Sequence, residues 1–291
     1  MKERVLRFGA QDALIGILSL PDRAAPGALP VLVPNTGLEH RVGPNRLHVH
    51  LCRALADAGF PTLRIDMAGM GDSGTASGSA AGPTSDLGAA MDALEASGLG
   101  NRFMLVGLCS GAHDAHLVLR TDQRVVGGAF IDGYVYPTAR YFLTYFAQRA
   151  FDPVRMIRRL FRAGRPPEDT DQPEGAKDDL DYFRQPTLTE MRHDLADFIR
   201  RGISLSYIYT GQIQNKYNYA EQLEDALPEL RSYGQAEVHY LAMADHTFSR
   251  TSMRSELVGV VLNWVRSCST NRLSSGAGNN AQQAMLTTPK L

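Results

Sequence analysis

The feature that most constrains this chain is the stretch FMLVGLCSGAHD, Phe103 to Asp114. An apolar run of strand length ends at Gly107 and a helical pattern opens at Gly111, so Cys109 carries the whole change of direction. A strand that turns at once into a helix strains the backbone of its corner residue, and the residues two before and two after it must be small to avoid collision. Gly107 and Gly111 meet that need. The corner then projects the Cys109 side chain at the carboxyl edge of a sheet, where open α/β folds bind ligands. It also aims the first unpaired N–H groups of the helix at the same spot.

The rest of the chain supplies such a sheet. Val5 to Phe8 and Ala13 to Leu20, around GAQD, read as a hairpin stopped by Pro21. Val31 to Val33, Thr62 to Ile65, Phe103 to Val106, Val125 to Ile131, Ile203 to Thr210 and Glu237 to Ala242 read as short buried strands. Helical spacing marks Asn45 to Ala58, Ser85 to Ala96, Gly111 to Arg120, Tyr219 to Ala226 and Ser252 to Val265. Alternation of this kind predicts an α/β fold: a mostly parallel, eight-stranded sheet with helices on both faces. The rhythm breaks at 134–201, where aromatic and arginine-rich segments run into a polar connection, so that segment is expected to be a helical cap inserted after strand 6. The expected division is a core of 1–133 and 202–267, a cap of 134–201, and a small, polar, disordered tail of 268–291.

GLCSG resembles the G-x-nucleophile-x-G elbow of the α/β-hydrolase superfamily, with cysteine where serine is usual. The resemblance runs over most of residues 1–266: an N-terminal hairpin, VPNTG where that fold has its oxyanion loop, DMAGMGDSG where it has D-x-x-G-x-G-x-S, and a histidine after the last strand. The wording of GLCSGA, NTGLEHRVGPNR and ADHTF looks most like the bacterial serine-aminopeptidase-like and exosortase-associated hydrolases. The resemblance implies Cys109 as nucleophile and His246 as its base, in the chain order of that fold. Ser110, which has Leu108 rather than a glycine two residues before it, is expected to give a backbone N–H to the oxyanion hole. The second donor comes from Thr36, Gly37 or Leu38, and the Thr36 hydroxyl could add a third bond.

The acid is harder to place. The superfamily usually carries it after the strand Ile203 to Thr210, but that loop reads GQIQNKYNY and has no carboxylate. Asp132, at the end of the preceding strand, is the preferred acid; Asn215 could orient the imidazole without charge, as an amide does in Cys-His-Asn sites. Asp245 would point away from the ring of its neighbour. Asp66 and Asp72 read as loop braces. His113 and His116 lack a third ligand, so no metal site is expected, and they read as partly exposed.

A formal net charge of -1 gives no electrostatic case for nucleic acid, and no window approaches the roughly 20 apolar residues of a membrane span. Three widely spaced cysteines and no signal-like start suggest the cytoplasm. The expected partner is a small-molecule acyl substrate, with no cofactor. Tyr134, Phe142 and Tyr145 are candidates for its apolar wall, with Phe146 and Phe151 nearby. Arg140, Arg149, Arg155, Arg158, Arg159 and Arg162 form either a solvated basic face or a receiver for a coenzyme A or carrier-protein link. The expected activity is acyl transfer through an acyl-cysteine, as a thioesterase, esterase or acyltransferase. The alternatives are a non-catalytic hydrolase-fold binding protein, or a lyase or cyclase that uses His246 without covalent catalysis.

Overall fold

The computed structural model describes residues 1–75, 82–150, 184–213 and 216–286, with the side chains of 148–150, 212 and 271–286 outside the description. Asn215 and residues 151–183, with Phe151 and four of the cap arginines, therefore lie outside the described residues.

Eight strands form one sheet in the order β1-β2-β4-β3-β5-β6-β7-β8. They are β1 (Lys2–Phe8), β2 (Leu14–Leu20), β3 (Val31–Val33), β4 (Thr62–Asp66), β5 (Phe103–Leu108), β6 (Val125–Ile131), β7 (Ser204–Thr210) and β8 (Ala236–Leu241). β2 runs antiparallel to β1 and β4, and every other pairing is parallel. The helices are α1 (Leu47–Asp57), α2 (Pro83–Ala96), α3 (Ser110–Thr121), α4 (Ala139–Ala150), α5 (Leu188–Arg200), α6 (Gln222–Ala226) and α7 (Thr251–Leu286).

Successive strand residues face opposite sides of a sheet, so a strand covered on both sides must be apolar at every position. β5 shows the consequence. Phe103 and Leu105 pack into the cluster that holds Leu87, Met91, Val118 and Leu119 of α2 and α3. Met104 and Val106 pack into the opposite cluster, with Leu51 and Leu55 of α1 and Val261 and Trp264 of α7. Burying a leucine such as Leu55 contributes about 2 kcal/mol, an upper value because the unfolded chain already hides part of its surface.

Two expectations about segment roles change. α5 falls within the segment read as a cap, yet its Met191, Leu195 and Phe198 are buried in the same cluster as Phe103 and Leu205, so this helix is a layer on the sheet. Its start is fixed by a capping box in which Thr187 and Glu190 exchange hydrogen bonds. α7 continues to Leu286, over most of the span read as a disordered tail; no proline interrupts it before Pro289. Among the described residues, no helix is long and apolar enough to cross a membrane.

The corner between β5 and α3 has the strain its sequence implies. Cys109 has φ 56° and ψ -115°. A Cβ on Gly107 would meet the carbonyl oxygen of Gly111 at 2.0 Å, and one on Gly111 would meet that of Asn35 at 2.5 Å. Both obstacles are backbone, which cannot swing aside. Gly107→Ala is expected to destabilise the fold by roughly 3 kcal/mol, read from the shift in the urea midpoint; an unchanged midpoint would show that the corner is not rigid.

Candidate active site

Cys109 lies at the carboxyl edge of the parallel strands, between the end of β5 and the first turn of α3. Its amide donates to Ile131 O at 2.8 Å, which ties the corner to the end of β6. The next residue of β6's chain, Asp132, turns with φ 47°. Its carboxylate is 1% exposed and accepts three short hydrogen bonds: Oδ1 from the Thr210 amide at 2.7 Å, Oδ2 from the Thr210 hydroxyl at 2.7 Å, and Oδ2 from His246 Nδ1 at 2.7 Å. Thr210 is the last residue of β7, so two adjacent strand ends hold the carboxylate while the histidine approaches from the β8–α7 connection. On its other side the ring meets the Cys109 thiol on the wall of the same cavity, near enough for each group to shift the ionisation of the other.

The histidine's own loop is braced. Asp245 turns away from the ring and accepts from the backbone and hydroxyls of Thr247 and Ser249. Phe248 is buried with φ 51°, and Asn45 Nδ2 donates to Thr247 O at 3.0 Å. Cys109, His246 and Asp132, singled out from the sequence, are thus brought together on one cavity, with His246 hydrogen-bonded to Asp132. Asn215, the alternative orienting group, lies outside the described residues, and the position it would serve is filled by Asp132.

The electrostatics follow from these contacts. The hydrogen bond that His246 donates to the Asp132 carboxylate, and after it the neighbouring Cys109, favour the imidazolium and raise its pKa to about 10. The His246 hydrogen bond lowers the Cys109 pKa against the opposing effect of burial, with a further contribution from the Ser110 amide. Both shifts favour a thiolate facing an imidazolium, the form in which a cysteine attacks.

The oxyanion side is partly corrected. The Ser110 amide opens α3 beside the Cys109 sulfur and helps lower its pKa. The Gly37 amide, one of the expected donors, instead donates to Ser110 Oγ at 2.6 Å, so the serine side chain braces this loop. The Thr36 hydroxyl is not turned to the sulfur but pairs with His48 Nε2 at 3.2 Å. His48 is buried, and burial, with the Arg64 charge, lowers its pKa to about 4, so it holds the loop as a neutral ring. The Leu38 side chain is 89% exposed, which leaves only its backbone to serve the site. Asn35 and Arg41 of this loop bind Asp66, and Arg41 also pairs with Asp72. His40, Asp66 and Asp72 bring ligand-type atoms within 4.8 Å of one another, but Arg41 supplies the positive charge there, and the cluster serves as a loop brace.

A cavity of about 810 Å³ opens over the sulfur, lined by His113, Val135, Pro137, Tyr141, Gln185, Ile213 and Lys216 together with Cys109, Asp132, Gly133 and His246. The aromatic wall expected from the sequence is out of phase with it. Tyr141 lines the cavity; Tyr145 packs one helical turn further along on the Tyr141 ring, at 5.8 Å, and Phe142 is half exposed on another side of α4. Tyr134 stacks on His113 at 4.4 Å and lines a separate cavity of about 400 Å³ with His116, Arg120 and Arg184. His116 is buried rather than partly exposed, because Asp194 of α5 meets its Nε2 at 2.9 Å and Arg120 at 3.1 Å. Residues 78 apart in sequence give no local signal of that pairing. His113 and Lys216, both on the cavity, were not singled out as site residues by sequence reasoning; His113 sits one turn along α3 from the elbow, which could have marked it.

This architecture has solved counterparts. A Pyrococcus furiosus esterase superposes with a TM-score of 0.54 at 15% identity, covering 91% of this chain and 91% of its own. Dienelactone hydrolase from Anabaena variabilis gives 0.53 at 14%, covering 91% and 97%. A thermophilic esterase from Thermogutta terrifontis gives 0.52 at 19%, covering 92% and 99%. The chain has the α/β-hydrolase fold. No protein-family model matches it, and no curated protein matches it in sequence.

Because the neighbouring His246 lowers the Cys109 pKa, alkylation of Cys109 by iodoacetamide is expected to rise with pH at a midpoint below pH ~8.5, where an ordinary thiol ionises. His246→Ala should return the profile to the ordinary range or above it, since burial alone raises a thiol's pKa. The rate against pH, with mass mapping of the labelled residue, checks this; a wild-type profile centred at the ordinary value would contradict it.

Proposed function

We propose that this protein is an acyl-transfer enzyme that cleaves ester or thioester bonds through an acyl-cysteine on Cys109. The observation that carries the reading is the juxtaposition of Cys109 at the strained corner with His246, whose ring is held by Asp132 and, behind it, Thr210. The solved counterparts named as esterases and as a dienelactone hydrolase support ester-type substrates.

The chemistry follows from the contacts. The Cys109 thiolate attacks the acyl carbon, forming a carbon–sulfur bond while the carbonyl pair moves to oxygen. The Ser110 amide, with a donor from the Thr36–Leu38 loop, stabilises that oxyanion; one such donor is worth about 3 kcal/mol of barrier. Collapse breaks the bond to the leaving group, which takes the proton held on His246. The neutral imidazole then deprotonates water, an alcohol or an amine for attack on the acyl-cysteine, and the thiolate–imidazolium pair is regenerated. The Asp132 carboxylate stays ionised throughout and keeps the ring oriented. An acyl-cysteine is itself a thioester and retains the activation of the acyl group, so transfer to an amine or alcohol stands beside hydrolysis as an outcome.

Short acyl thioesters should add one acyl mass to the intact protein, mapped to Cys109. Cys109→Ala should abolish the adduct and lower turnover by about 10^4-fold or more. Asp132→Asn should lower turnover by about a hundredfold or more: its amide NH2 must face either the Thr210 amide or His246 Nδ1, and one of those donors loses its acceptor. Turnover that survives Cys109→Ala would overturn the covalent reading.

A further inference from the structure

The cavity over Cys109 holds two kinds of polar group beyond those that perform the chemistry. Gln185 is committed to the scaffold, since its Nε2 donates to Val135 O at 2.6 Å. His113 is uncharged at neutral pH, because burial, then the charges of His116 and Lys216, bring its pKa down to about 4. Lys216 is different. It brings a full positive charge to the cavity lining, and among the described residues it makes no ion pair. Arg140, the described cap arginine nearest in role, is already taken: it pairs with Glu221 at 3.1 Å and lies over the Tyr219 ring.

The backbone beneath Lys216 is fixed. Its amide donates to Ile213 O at 2.7 Å, its carbonyl accepts from Gln222 Nε2 at 2.8 Å, and the next residue, Tyr217, is buried against Tyr209 with ring centres 3.9 Å apart. The charge is thus carried by an exposed side chain on a held anchor, on the lining of the cavity that contains Cys109. The other charged groups of the lining are engaged with one another: Asp132 accepts from Thr210 and His246.

We propose that Lys216 determines specificity by receiving a carboxylate borne on the acyl group of the substrate, so that the preferred acyl donors are half-esters or half-thioesters of dicarboxylic acids. A single ammonium matches the single charge of a carboxylate; a phosphate dianion would call for a second cation. The cavity volume lies within the range of small-ligand sites. The proposal rests on the acyl-transfer reading of the same site.

Two readouts on the full-length protein test it. The first compares alkylation of Cys109 by anionic iodoacetate with that by neutral iodoacetamide, and needs no turnover. Lys216→Gln should lower the iodoacetate-to-iodoacetamide rate ratio by about threefold or more, the effect of one charge a few ångströms away in a water-like medium. The iodoacetamide rate itself should hold. Lys2→Gln, far from the cavity, should leave the ratio unchanged. The second compares kcat/KM for a hemisuccinyl and a butyryl thioester of the same thiol: Lys216→Gln should reduce the former severalfold and spare the latter, and Lys216→Glu should reverse the preference. An alkylation ratio equal in wild type and Lys216→Gln, or equal losses on both thioesters, overturns the proposal. Failure of the acyl-transfer reading looks different: neither thioester would be turned over, while the alkylation ratio would still fall in Lys216→Gln.

Discussion

The site depends on one buried carboxylate. Asp132 is almost wholly removed from water, and a charge so placed is tolerable only when its lone pairs are met. Two donors from Thr210 and one from His246 meet them. The same bonds fix where β6 ends relative to β7 and which nitrogen of His246 carries its proton toward the acid. That leaves the other nitrogen for Cys109. The geometry of the sheet edge and the protonation of the nucleophile are therefore one problem with one solution: without the Thr210 donors the carboxylate would not be held, and without the carboxylate the imidazolium would not hold the thiolate.

The elbow contributes the other half. A residue held at φ 56° carries a steric strain that the rest of the structure must over-determine. It is over-determined here by two glycines pressed against backbone, by the Cys109 amide on β6, and by the Ser110 hydroxyl on the Gly37 amide. The loop bearing Gly37 is in turn fastened by Asn35 and Arg41 to Asp66 at the end of β4, and by Thr36 to the neutral His48. Four strand ends are thus locked to one another around the sulfur, which allows a site assembled from residues 36 to 246 to keep one geometry.

The parts of this arrangement legible in the sequence are those with a short-range signature. β3 and β6 are predicted to the residue, since runs such as VLV and VVGGAFI are apolar at every position and bounded by prolines, arginine or aspartate. The elbow is legible because only glycine fits beside it. Asp132 could be named only by default, from a carboxylate missing after β7; what holds it against His246 is Thr210, 78 residues away, whose part no local pattern announces. The aromatic wall is shifted by a matter of phase: one residue along a helix is about 100° of rotation, and Tyr141 rather than Phe142 lines the cavity. His116 failed because its buried partner Asp194 arrives from α5, a helix whose apolar face packs on the sheet though the segment around it reads as a cap. Lys216 sits in a loop whose interest, read linearly, lay in the carboxylate it lacks.

We infer that Cys109 and His246 rest as thiolate and imidazolium, held so by Asp132. Nitrogen-15 NMR of histidine-labelled protein reads the ring directly. His246 is expected to be protonated on both nitrogens at neutral pH and above it, with its titration moving to lower pH once Cys109 is alkylated. A His246 that titrates near pH ~6.5, the value of an unperturbed histidine, and is indifferent to the state of Cys109 would contradict it.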